Sequence, residues 1–156
     1  MKTSYHTYNK EKGFYIKESY FELVSFFIVK SFINEELEDK PIWYLNIYED
    51  FLDITNGHVQ GYAYFNFEGD LEFIEEREQE IIVILEKAID IITLEGDKIP
   101  YNKLNKWEED KKDWPDTKIE WISDVYTEDL INVINILIKM LKHEWKENID
   151  VDWKAR

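Results

Sequence analysis

The sequence predicts an α+β fold: a small, mostly antiparallel sheet of about 3–5 strands packed with three long helices, with a mainly α fold as the alternative. Three observations point there. Apolar residues recur at helical spacing in three stretches, near 20–35, 78–96 and 127–146. Between the first two lies a β-branched and aromatic region broken by Asn56-Gly57. Hydrophobic residues make up 44% and aromatics 16%, enough to give 156 residues a genuine core. No repeat, low-complexity tract or linker divides the chain, so residues 1–156 read as a single domain.

The first helix is signalled at Ser19-Tyr20-Phe21-Glu22, the S-x-x-E spacing of a capping box. Phe21, Val24, Ile28 and Phe32 continue at helical spacing, widened by Tyr20, Leu23 and Phe27, and the helix should end near Asn34 to Leu37. After Pro41 the pattern changes. Ile42 to Tyr48, Phe51 to Thr55 and His58 to Phe65 have strand composition, and Asn56-Gly57 is a strong hairpin signal because both central residues of a type I′ turn need positive φ. A competing reading makes one helix between Pro41 and Gly57, with Trp43, Ile47, Phe51 and Ile54 on a face. The β-branched and aromatic composition favours the strands.

From Glu72 the chain is acidic and then apolar. Glu75, Glu76, Glu78 and Glu80 suit a helix start, and Ile82, Leu85, Ile89 and Ile92 carry a stripe towards Gly96. The last long helix has Thr127 as its expected N-cap. Leu130, Ile134, Leu137, Leu141 and Trp145 form its stripe, and Lys139, Lys142, His143 and Lys146 gather at its C-terminal end, where cations are favoured. Ile119 to Trp121 and Ile149 to Trp153 alternate like short strands.

Little here suits catalysis. With no cysteine there is no disulfide, thiolate metal site or thiol nucleophile. His6 and His58 read as surface histidines. His143-Glu144-x-x-Glu147 starts like a zinc-protease helix but lacks the second histidine, and dipole complementarity accounts for His143 without a metal. Asp150 and Asp152 would share the solvent face of a strand. Asp110, Asp113, Asp116 and Glu120 lack the glycine of a calcium loop. No P-loop, G-x-S-x-G or G-x-G-x-x-G occurs. The chain therefore reads as a non-enzyme without cofactor or metal, a divalent-metal carboxylate hydrolase being a minor alternative. Leu23 to Phe32, interrupted by Ser25, Lys30 and Ser31, is much shorter than the ~20 apolar residues of a spanning helix. With no apolar leader in Met1 to Lys12, a cytoplasmic location is expected.

The charge is the remaining signal. Thirty-four Asp and Glu face 19 Lys and Arg, a net −15, where a small domain needs a magnitude of only ~2–8 for solubility. Acid of this kind repels phosphate, so direct nucleic-acid binding is excluded, but it can engage proteins that bind nucleic acid. Trp107-Glu108-Glu109-Asp110-Lys111-Lys112-Asp113-Trp114-Pro115-Asp116 sets two aromatic candidates among carboxylates, as a partner-binding surface does. Glu108, Glu109, Asp110, Asp113, Trp114 and Asp116 are the candidate partner-binding residues, while Trp107 reads as a pin to the core. Acidic runs at 68–80 and at Glu49, Asp50 and Asp53 are further candidates.

In this whole-chain character, and in acidic–aromatic stretches such as Trp107 to Asp116, the chain resembles bacterial immunity proteins of polymorphic-toxin and contact-dependent growth inhibition systems. The resemblance implies a one-to-one complex with a cognate, often basic nuclease toxin domain, neutralised without catalysis. A regulatory or structural protein-binding module without a toxin partner is the alternative.

Overall fold

The computed structural model describes residues 3–8, 12–32, 34–57, 76–110, 119–151 and 153. Their order is β1 (Thr3–His6), β2 (Phe14–Lys17), α1 (Glu18–Ser31), a 3-10 helix (Asn34–Asp39), α2 (Ile42–Thr55), α3 (Glu78–Thr93), β3 (Lys98–Ile99), α4 (Tyr101–Glu109), β4 (Val125–Tyr126), α5 (Thr127–Leu141) and β5 (Ile149–Asp150). The α+β class holds. β1 and β2 pair antiparallel, β5 joins β2 in parallel, and β3 and β4 form a separate antiparallel ribbon.

The largest correction concerns 42–55, which is a helix and not two strands. Tyr44, Ile47, Phe51 and Ile54 are buried at alternating spacings of three and four, so this face packs on α1. Pro41 stands at the N-cap in extended conformation, its carbonyl accepting from the N–H groups of Tyr44 and Leu45. Gly57, with φ +71, donates its N–H to Ile54 O and ends the helix in the left-handed conformation glycine allows. Asn56-Gly57 thus stops a helix and does not turn a hairpin. The strand expected at 58–65 lies outside the described residues.

α1 covers its predicted stripe but starts without a capping box. β2 runs straight into it through Lys17, which is extended and gives no side-chain cap, so Ser19 falls within the first turn. The helix ends at Ser31, short of the expected Asn34 to Leu37. α1 lies against α2 and α3, and α3 against α5. Phe21, Val24 and Phe27 of α1 meet Leu85 and Ile92 of α3 and Leu130, Val133 and Leu137 of α5 in one buried cluster.

Thr127 is not an N-cap either. Tyr126 takes that position, and the Thr127 hydroxyl donates to Gly96 O at 2.7 Å and Asp97 O at 3.0 Å, joining the start of α5 to the turn after α3. α5 ends at Leu141, before Trp145. That indole is still buried and donates from Nε1 to Gly13 O at 3.1 Å.

The sheet forms where a polar leader was expected. Ser4 and His6 face inward from β1, Phe14 and Ile16 from β2. Gly13 is required between them, because a Cβ there would stand 1.8 Å from His6 O. Its N–H donates to Asn148 Oδ1 at 3.0 Å, which also accepts from the Tyr5 hydroxyl at 2.8 Å. Ile149–Asp150 is a strand as expected, whereas Ile119 to Trp121 is not. Among the described residues no helix is long and apolar enough to cross a membrane.

Candidate functional site

α4 carries the first part of the acidic–aromatic segment. Leu104 and Glu108, four apart, both point inward. Asn105 grips the chain at Trp121 from both sides: its Oδ1 accepts from Trp121 N at 2.7 Å, and its Nδ2 donates to Trp121 O at 2.9 Å. Glu108 adds to that grip. It is 8% exposed, accepts from the Ile119 N–H at 3.2 Å, and has the Trp121 indole Nε1 at a long 3.5 Å.

Of the predicted partner-binding residues, Glu108 is therefore turned into the protein, a correction to its reading as surface acid. The cause is helical phase, since it shares a face with Leu104. Glu109 and Asp110 remain exposed. Asp113, Trp114 and Asp116 lie outside the described residues. Trp107 does pack inward, 4.8 Å from the Phe26 ring centroid and edge-on to Phe27 at 5.8 Å.

Beside this segment lies a cleft of about 360 Å³ between α1, α2 and α4. Leu23 and Phe26 of α1, Leu52 of α2, Leu104 and Trp107 of α4, and Trp121 give it apolar walls. Among the described residues, carboxylates of Glu22, Glu108 and Asp110 also line it, with the amine of Lys30. The Lys30 Nζ stands over the rings, 4.4 Å from the Phe26 centroid and 5.1 Å from that of Trp107, and the Lys103 Nζ lies 5.3 Å from Trp107. Burial lowers the Lys30 pKa below the ordinary lysine value; Glu95 opposes this and Lys103 adds to it.

On α2, Leu52 and Asn56 line the cleft, and Glu49 and Asp53 occupy the same helical stripe by their spacing of three and four. Asp110 thus puts acid at the cleft from the end of α4, and the exposed Glu49 and Asp53 share the α2 stripe of its lining residues. Nothing in the sequence pattern brought Lys30, Leu52 and Trp121 together. The one local signal was Phe26 and Lys30 at i, i+4 on α1.

The other candidate groups resolve differently. His143 sits past the end of α5, not on it, so the H-E-x-x-E spacing gathers no ligand set. It takes φ +59, with its N–H donating to Met140 O and that of Glu144 to Lys139 O, the paired bonds of a Schellman helix end. Its Nε2 meets Glu78 Oε2 at 2.9 Å, and the Tyr8 hydroxyl donates to Glu78 Oε1 at 3.1 Å. Ser4 Oγ and His6 Nε2 are 2.7 Å apart, a hydroxyl–imidazole pair, and both residues are buried. His6, a core residue and not the surface histidine expected, packs on Phe14 and Phe21, and burial pushes its pKa down to about 3. Among the described residues no group of three or more His, Cys, Asp or Glu could hold a metal ion. Asp150 is exposed; Asp152 and His58 lie outside the described residues.

Comparison with protein-family models, with curated proteins and with solved structures returned no match to this chain.

Proposed function

We propose that this protein is a non-catalytic inhibitor of a basic protein, most specifically an immunity protein acting in the cytoplasm against a nuclease-type toxin domain. The observation that carries the reading is the pairing of exposed acid with an aromatic-walled cleft. Asp110 lines the cleft with exposed Glu109 next to it on the chain, and exposed Glu49 and Asp53 lie on the α2 stripe of Leu52 and Asn56, on a chain of net charge −15. A nuclease presents cations to phosphate, and carboxylates placed where phosphates would lie compete for them. The surrounding negative field steers a basic partner and rejects acidic ones, while a few buried anchors supply affinity. An interface of standard size would cover ~800 Å² of each protein.

The test is co-expression with the protein encoded beside it. Rescue of growth from a toxic neighbour, with an association rate that falls about tenfold or more as salt is raised, supports inhibition by steering. A harmless neighbour that still binds makes the chain a protein-binding module of another system. A salt-independent rate removes the electrostatic mechanism.

A further inference from the structure

We infer that the cleft between α1, α2 and α4 receives an arginine side chain of the partner, its guanidinium stacking on Trp107 in the seat now held by Lys30 and pairing with Asp110. This rests on the reading of the chain as a binder of basic proteins and names the group it recognises.

The cleft already holds a cation on its rings. The Lys30 ammonium lies over Phe26 and Trp107, yet it forms no ion pair with a described residue, although three carboxylates line the same cleft. The lysine of α1 engages the rings alone in this arrangement. An arginine entering from solvent can satisfy both rings and acid, because its planar guanidinium stacks on an indole and still presents a fork of donors to a carboxylate. It is also more weakly hydrated than an ammonium, so it loses less on entering an aromatic cleft.

Other occupants fit worse. An acidic side chain would meet Glu22 and Glu108 as well as Asp110, three carboxylates against the ammonium groups of Lys30 and Lys103 among the described residues. An apolar one would take water from the exposed Asp110 carboxylate at the rim and give nothing in return, which is costly. Asp110 is the group to pair because it is exposed at the rim, whereas Glu108 is committed to Ile119 and Trp121.

The experiment needs only this protein. Its tryptophan indole N–H resonances are followed by NMR during titration with N-acetyl-arginine amide, the Trp107 signal being assigned from Trp107→Phe. The lysine, glutamate and norleucine amides serve as comparisons. Arginine amide should shift the Trp107 signal at a concentration about threefold or more below lysine amide, with the glutamate and norleucine amides inert. Asp110→Asn, a rim change that leaves the fold intact, should weaken the arginine effect by about threefold or more. Lys30→Ala should strengthen it by emptying the seat. A Trp107 signal unmoved by arginine overturns the inference, as does an Asp110→Asn variant that responds like the wild type. Stronger binding of the glutamate or norleucine amide overturns it too, making the cleft an anion or apolar site. A neighbour neutralised in growth assays without arginine binding here leaves the functional reading standing with another interface. Arginine binding without neutralisation does the reverse.

Discussion

The Nε2 of His143 lies 2.9 Å from the Oε2 of Glu78, tying the residue that closes α5 to the residue that opens α3. His143 holds this position in a left-handed conformation that costs a side-chain-bearing residue roughly 1–2 kcal/mol. Substitution separates the two effects. His143→Ala keeps the backbone cost and loses the pair, and should lower stability by about 1 kcal/mol in urea unfolding. His143→Gly loses the pair but also sheds the cost, so it should lie close to the wild type. Equal loss in both variants would show that the conformation carries no penalty here.

Gly13→Ala should be among the most damaging single changes. The new methyl would meet the backbone carbonyl of His6, which cannot move without opening the β1–β2 pair. A loss of about 3 kcal/mol or more, or failure to fold, is expected. Asn148→Ala removes the acceptor of the part-buried Gly13 N–H and the exposed Tyr5 hydroxyl, where water can substitute, costing about 0.5–1.5 kcal/mol. Thermal melting ranks the two, and an unaffected Gly13→Ala protein would contradict this geometry.

Acid should weaken the fold through His6. Its pKa is about 3 in the native protein, below its ordinary value of 6.5, so the unfolded chain binds a proton that the native one refuses. The contribution is complete above pH 6.5 and is lost as pH falls towards 3, by up to about 1.4 kcal/mol per pH unit. Between pH 4 and 6 the unfolding free energy of His6→Phe should therefore vary less steeply with pH, by about one proton. Parallel pH profiles would show that His6 is not held neutral.

The acids of α4 should divide by role. Glu108→Ala removes the acceptor for Ile119 N and should cost about 1–3 kcal/mol of stability. Glu109→Lys and Asp110→Lys alter exposed positions, so stability should stay within about 0.5 kcal/mol while association with a basic partner slows. Melting temperature read beside association rate checks the division. A Glu109→Lys, Asp110→Lys double variant that associates at the wild-type rate would move the interface elsewhere.

The stripes of α3 and α5 were legible because each opposes a polar face, which makes the period visible. α2 was not. Trp43, Tyr44, Leu45, Ile47 and Tyr48 crowd almost every side of it, so composition suggested strand while its boundaries, Pro41 and Gly57, stood in plain view. β1 and β2 escaped notice because Thr3, Ser4 and His6 look like solvent residues. Ser4 and His6 are nevertheless buried, His6 against Phe14 and Phe21, which no local pattern announces. For the site, the acid was evident but its direction was not, although Leu104 four residues before Glu108 held the clue. The cleft draws its walls from three separated helices, a juxtaposition that no local spacing encodes.

The parallel pairing of β5 with β2 has a kinetic consequence. Gly13 and Asn148, which bond beside that pairing, are 135 positions apart. During synthesis the inner strand β2 must wait for the 135 positions between Gly13 and Asn148 to be made before it gains its second neighbour. The helices, whose contacts are closer in sequence, can collapse first, leaving that strand edge unpaired on the ribosome. Closure of the sheet is then a late, slow event, and the nascent protein is most open to aggregation just before it.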